Sequence, residues 1–235
     1  MSRTVVIGDI HGCYNTLLSL LDEVKVDYSS DKLIFLGDYI DRGLYSREVV
    51  KLLRDLQERM TKDRCICLLG NHEVMAIEST VKPDLWEANG GYATVWSYRD
   101  DIDELARDIQ WMHKELPLVA QDDGHIYVHA GLAYPLLEDC SYNDLLWDRS
   151  WLKSPNLVPR EKPVIFGHTP FNNEIKYLPN GDIGIDGGCA GGGTLNALAI
   201  APSGAITEYK VKRDPKDACK DKIREMLAWY NGYTG

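Results

Sequence analysis

Long apolar runs are absent from this 235-residue chain. Nothing approaches the roughly 20 consecutive apolar residues that carry a helix across a bilayer, so no membrane partner is expected. A basic run is absent too: 26 Lys and Arg stand against 36 Asp and Glu, a formal net charge of −10. Duplex binding needs a lysine and arginine face, so nucleic acid is not an expected partner, although a small positive pocket is compatible with this balance. The six cysteines, at positions 13, 65, 67, 140, 189 and 219, form no CxxC pair. Buried free thiols are the expectation, rather than a disulfide or a structural zinc. The N-terminus runs straight into Thr4-Val5-Val6-Ile7 without signal-peptide architecture, which points to the cytoplasm. No repeat, low-complexity tract or Pro/Ser linker divides the sequence. It reads as a single domain over 1–235 with one sizeable core, and as a monomer.

What is present is a set of short apolar strands, each stopping at a polar turn. Thr4 to Ile7 stops at Gly8-Asp9-Ile10-His11-Gly12, and a helical pattern with Leu17, Leu18, Leu21 and Val24 on one face follows. Lys32-Leu33-Ile34-Phe35 runs into Leu36-Gly37-Asp38-Tyr39-Ile40-Asp41-Arg42-Gly43, and a second amphipathic helix carries Val49, Val50, Leu53 and Leu56. Cys65 to Leu69 stops at Gly70-Asn71-His72-Glu73. This β-α-β-α-β opening has strands apolar throughout, as expected where both sheet faces are covered. Residues 74–116 carry no strand signal; helical patterns at about 84–97, interrupted at Asn89-Gly90-Gly91, and 101–115 predict a helical insert packed as a cap over one edge. Further strands are predicted at Leu116 to Ala120, His125 to Val128 (stopping at His129-Ala130-Gly131), and Pro163 to Phe166 (stopping at Gly167-His168-Thr169). Glu174 to Leu178, Ile183 to Ile185, Thr194 to Ile200 and Ala205 to Val211 complete the strands, and a last helix is expected over roughly 214–230.

Five strand ends thus offer Asp9 and His11, Asp38, Asn71 and His72, His129, and His168. In α/β sheets, sites form outside the carboxyl ends of strands, so these side chains can meet in one crevice. Two carboxylates and an arginine at one strand end, Asp38, Asp41 and Arg42, are costly to crowd together unless a cation and an anion meet there. Imidazole, carboxylate and amide oxygen without thiolate suit divalent manganese, iron or zinc. The donors outnumber one tetrahedral ion, and Asp38 can bridge two. Two divalent ions would carry more charge than Asp9 and Asp38 cancel, and the surplus suits a phosphate dianion and a hydroxide.

The motifs Gly-Asp-Ile-His-Gly, Gly-Asp-Tyr-Ile-Asp-Arg-Gly, Gly-Asn-His-Glu, His-Ala-Gly and Gly-His-Thr, in this order from Thr4 to about Ile200, resemble a known family. It is the phosphoprotein phosphatase branch of the calcineurin-like metallophosphoesterases. Asn89-Gly90-Gly91 and Ile185-Asp186-Gly187-Gly188-Cys189 look like its short bacterial and phage serine/threonine enzymes; the C-terminal motif of the eukaryotic enzymes is not present. The resemblance implies an α/β fold of two mixed β-sheets packed face to face and flanked by helices. It implies one metal on Asp9, His11 and Asp38, and a second on Asp38, Asn71, His129 and His168, with Mn2+ first and Fe or Zn as alternatives. It implies His72 as general acid oriented by Asp41, and Arg42 and Arg149 as a clamp on phosphate. The reaction implied is hydrolysis of phosphomonoesters, phosphoserine and phosphothreonine in proteins foremost or a small phosphate ester, through in-line attack of a dimetal-bound hydroxide. A symmetrical diadenosine tetraphosphate hydrolase shares nearly all these motifs and is the alternative. An inactive phospho-binding protein is the second. His125, His113 and Cys13 read as structural or solvated, and Glu73 as support for a helix start. Asp186 reads as part of a turn under the site. The insert tryptophans read as core or groove lining.

Overall fold

Strand β1 (Thr4–Ile7) leads into helix α1 (Tyr14–Val24), β2 (Lys32–Phe35) into α2 (Ser46–Met60), and β3 (Cys65–Cys67) into α3 (Asn71–Ile77). This computed structural model describes residues 2–153 and 159–233; the ends of the expected 1–235 domain lie outside them. Three more helices follow: α4 (Pro83–Ala88), α5 (Gly91–Ser97) and α6 (Ile102–Glu115). Then come β4 (Val119–Gln121), β5 (Ile126–Val128), α7 (Tyr142–Leu146), β6 (Val164–Phe166), β7 (Lys176–Tyr177), β8 (Ile183–Gly184), β9 (Thr194–Ile200), β10 (Ile206–Lys212) and α8 (Lys220–Tyr233).

The strands form two five-stranded mixed sheets, ordered β10-β9-β1-β2-β3 and β4-β5-β6-β8-β7. Their inner faces pack together. Val6, Ile34, Leu36 and Leu198 of the first meet Tyr127, Ile165 and Ile183 of the second. The period of two along a strand sends the neighbouring side chains outward. Val5, Ile7, Leu33 and Phe35 therefore pack among Leu17, Leu20, Val49 and Leu53 of α1 and α2. Val128, Val164 and Phe166 do the same against Trp151 on the far side of the second sheet. Both faces of the central strands are covered, which is why they carry no polar alternation. Ion pairs Arg47–Glu104 and Arg54–Asp108 tie α2 to α6. No helix among the described residues is long and apolar enough to cross a membrane.

Several element bounds differ from the sequence reading. The interruption expected at Asn89-Gly90-Gly91 is there, Gly90 at φ 102° separating α4 from α5, but other bounds shift. Leu116 belongs to the end of α6, where its amide still bonds to the Met112 carbonyl, so the strand expected from Leu116 begins at Val119. The strand expected over Glu174 to Leu178 is only the pair Lys176–Tyr177. The last helix starts at Lys220 rather than 214, since Asp214 caps a separate short turn opened by Pro215. Helix α7 was not expected, although Ser141 and Asp144 form a capping box that marks its start.

Candidate active site

β1, β2 and β3 run parallel in the first sheet, and β5 and β6 run parallel in the second. Their carboxyl ends therefore deliver the five polar turns to one place, and the backbone there is unusual. Among the described non-glycine residues with positive φ are His11, Asp38, Asp41, Arg42 and His168. Left-handed conformations are unfavourable for such residues, and their concentration here is a mark of a functional turn. Close approach is enforced by glycine. At Gly37, φ 102°, an added Cβ would lie 2.7 Å from Gly70 Cα and 2.9 Å from His129 Nδ1. At Gly167 it would collide with the Asp9 carboxylate.

Asp38 sits at the centre. One of its oxygens, Oδ2, is 3.4 Å from His11 Nε2 and 4.0 Å from His72 Nε2, while Oδ1 is 3.4 Å from His129 Nε2. Two groups of donor atoms result, His11–Asp38–His72 and Asp38–His129–His168, each with its atoms within 4.8 Å of one another. Asp38 is shared between them. Burial alone would raise its pKa, but His129, His72, His11 and His168 hold it well below the usual carboxylate range.

Three imidazoles are anchored alike. His11 Nδ1 donates to the Ile40 carbonyl at 2.8 Å, His129 Nδ1 to Leu36 at 2.8 Å, and His168 Nε2 to Trp147 at 3.2 Å. A carbonyl can only accept, so each ring turns its remaining lone pair inward. Burial lowers all three pKa values, His11 strongly and His168 to about 3, with neighbouring imidazoles adding to the effect. Asn71 Oδ1 stands 2.9 Å from both His129 Nε2 and His168 Nδ1. A ring of buried, neutral lone-pair donors around a carboxylate, each with its outer N–H fixed, is the environment of a divalent cation. Asp38, Asn71, His129 and His168 fit one such ion, and His11 with the other oxygen of Asp38 offers two donors toward a second.

His72 is anchored differently. Its Nδ1 is 2.6 Å from Asp41 Oδ2, and both residues are buried. Burial pulls the His72 pKa down, but Asp38 and Asp41 more than offset it, leaving the ring above its ordinary value. Arg42 reaches His72 Nε2 at 2.9 Å and His11 Nε2 at 3.0 Å with the two arms of its guanidinium. Arg149 is exposed at the rim, held by the His168 carbonyl at 2.7 Å.

Asp9 is buried in the same crowd but falls outside both donor groups. Its oxygens accept the His168 amide at 2.9 and 3.1 Å, and burial with Asp186 and Asp38 raises its pKa well above the usual range. Glu73 is a backbone anchor: its carboxylate accepts the amides of Asp38 and Tyr39 at 2.8 Å and of Gly70 at 3.0 Å. Burial, then Asp38, pushes its pKa up to about 8. His125 stays beside Asp122, and His113 is exposed on α6.

Two further participants carry no functional signal in the sequence, and a third carries a weak one. Trp86 and Thr94, from the helical segment, both donate to the Asp41 carboxylate. Nothing in their spacing distinguishes them from core residues. Asp186 does form the expected turn, its Oδ1 accepting the Gly188 amide at 2.8 Å, and it is a buried carboxyl raised to about 6 by burial, with Asp38 adding to it. The glycines after it were the only signal.

The sequence profile of the calcineurin-like phosphoesterase family matches residues 2–189. Serine/threonine-protein phosphatase 2 of Salmonella typhimurium is 30% identical, covering 75% of this chain and 86% of that protein. A symmetrical bis(5'-nucleosyl)-tetraphosphatase of Erwinia tasmaniensis is 27% identical, covering 83% of this chain and 93% of that protein. Among solved structures, a metallophosphoesterase from Sphaerobacter thermophilus shares the fold with a TM-score of 0.60 at 20% identity, over 95% of this chain and 93% of that one.

Proposed function

Because the chain belongs to the calcineurin-like phosphoesterase family, we propose that it hydrolyses phosphomonoesters and that phosphoserine and phosphothreonine side chains are its substrates. The contrast among the imidazoles carries this reading. His11, His129 and His168 rest on neutral carbonyls and are fitted to stay unprotonated, whereas His72 rests on a buried carboxylate and is fitted to hold a proton. A separate proton donor is what an alkoxide leaving group needs.

In this reading Asp38, Asn71, His129 and His168 would hold one divalent ion, and His11 and Asp38 the other, which Asp9 would join by turning from the His168 amide. Manganese suits the mixed nitrogen and oxygen donors, with iron or zinc next. When bound, the ions supply an acidified water as nucleophile and positive charge over the phosphate. Arg42 and Arg149 bind the non-bridging oxygens through planar forks of donors. Arg42 can only donate, and one arm of its fork lies 2.9 Å from His72 Nε2; a phosphate taking over that arm would sit beside the same nitrogen, with its leaving oxygen in reach of a proton placed there. Asp41 stabilises the imidazolium and fixes its orientation. Burial of the whole dyad strengthens each of these interactions by keeping water away.

Symmetrical dinucleoside polyphosphate hydrolysis is the second reading, favoured by the name of the Erwinia tasmaniensis relative. It would use the same metal donors and arginines. Its leaving group is a phosphate, which needs less help from His72. Turnover of a phosphoserine/phosphothreonine peptide and of diadenosine tetraphosphate, side by side on the manganese-loaded protein, tests the choice. Peptide turnover higher by orders of magnitude is expected; the reverse order replaces the first reading with the second.

A further inference from the structure

Asp41 is completely buried, yet it is far from lone. Beyond His72, its carboxylate receives Trp86 Nε1 at 2.9 Å on Oδ1 and 3.0 Å on Oδ2, and Thr94 Oγ1 at 2.7 Å on Oδ1. Thr94 Oγ1 also accepts the Asp41 amide at 2.8 Å, and of the two acceptors in reach of its single proton the Asp41 carboxylate at 2.7 Å is nearer than Ser46 Oγ at 3.1 Å. Ser46 supports the same amide at 3.2 Å. Trp86 lies on α4 and Thr94 on α5, so the helical segment between β3 and β4 reaches back to a turn that belongs to β2.

That turn needs holding. Asp41 and Arg42 have φ of 72° and 66°. The segment grips it twice, since the Gly90 carbonyl also accepts the Arg42 amide at 3.3 Å. Gly91 fixes the indole in turn: a Cβ there would stand 2.7 Å from Trp86 Cγ and Cδ2, so no other residue allows the helix to lie so close on the ring. A tryptophan needed only for packing would leave its N–H to any nearby carbonyl. Here the N–H bridges both oxygens of one carboxylate and sets the plane that faces His72.

We infer that Trp86 and Thr94 are positioning residues for proton transfer, locking the Asp41 carboxylate in the orientation that aims His72 at the leaving group. Neither touches the reacting phosphate. The inference rests on the reading of His72 as general acid. Loss of either donor lets the carboxylate turn and His72 swing with it, and the cost falls where the leaving group depends on the proton.

The test uses the manganese-loaded full chain and the variants Trp86→Phe, Thr94→Val and Thr94→Ser. The kcat values for a phosphoserine peptide and for p-nitrophenyl phosphate are compared, with bound manganese measured for each variant. Trp86→Phe and Thr94→Val are expected to lower peptide kcat about tenfold more than aryl kcat. Thr94→Ser keeps the hydroxyl and is expected to restore the ratio. If Trp86→Phe fails to fold, the valine and serine pair at position 94 carries the test alone. Equal losses on both substrates, or an unchanged ratio, overturn the inference. His72→Asn run alongside separates the two levels. If it shifts the ratio and the positioning variants do not, only this inference falls; if it does not shift the ratio, the general-acid reading falls and this one with it.

Discussion

His72→Asn is expected to lower kcat for alkyl phosphates by about 10²–10⁴-fold, and to lower kcat for aryl phosphates far less. An alkoxide is a strong base and departs only when protonated, whereas a nitrophenolate departs unaided. Asparagine retains a polar side chain at the position but cannot deliver a proton. The expectation follows from the company His72 keeps, since its Nδ1 is 2.6 Å from a carboxylate with no exposure to solvent. Against burial, Asp38 first and then this contact raise its pKa, so the acid form persists to higher pH than in an ordinary histidine. For the same reason, alkyl turnover is expected to decline as pH rises through the raised value and the proton is lost. Losses of equal size on alkyl and aryl substrates would remove His72 from the acid role.

Asp38→Asn is expected to cost the protein its metal, and its activity with it. The carboxylate turns one oxygen to His11 and the other to His129, each contact 3.4 Å. It is the residue common to both donor groups. The amide removes the negative charge that four imidazoles surround and leaves one oxygen where two were used. Affinity for manganese, measured by calorimetry on metal-stripped protein, is expected to fall by at least about 100-fold, the upper end of the effect of losing an outer partner of a ligand. Full metal occupancy in the variant would contradict the bridging role.

Much of this was legible before any coordinate. Apolar runs that stop at Asp9, Asp38, Asn71, His129 and His168 announce parallel strands covered on both faces, because no polar alternation is left to mark an exposed side. Once strands are parallel, their carboxyl ends must be neighbours, and the polar turns come together. The two-sheet fold was implied by family resemblance; spacing does not dictate that strands from the second half close over those of the first. Glu73 was legible as support for a helix start, and its carboxylate does anchor the amides of Gly70, Asp38 and Tyr39.

Trp86 and Thr94 were not legible, for a physical reason. Their hydrogen bonds span 45 and 53 residues of sequence. An indole N–H aimed at a carboxylate leaves the same helical pattern as one aimed at solvent. Helix α3 is legible only in part: Asn71 and His72 in its first turn read as ligands, and Glu73 alone as turn or helix-start support. The break at Gly90 shows in the sequence as Asn89-Gly90-Gly91, whereas the boundary near Pro215 is set by a single backbone position that periodicity averages away.

In the proposed site a pair of metal ions would share Asp38, and paramagnetic resonance of the manganese-loaded protein reads that sharing. Two ions about 3.5–4 Å apart couple through a shared ligand. The expected result is two manganese ions per chain by elemental analysis, with the spectrum of a spin-coupled pair. Saturation at one ion per chain, or full loading with the spectrum of isolated ions, would contradict it.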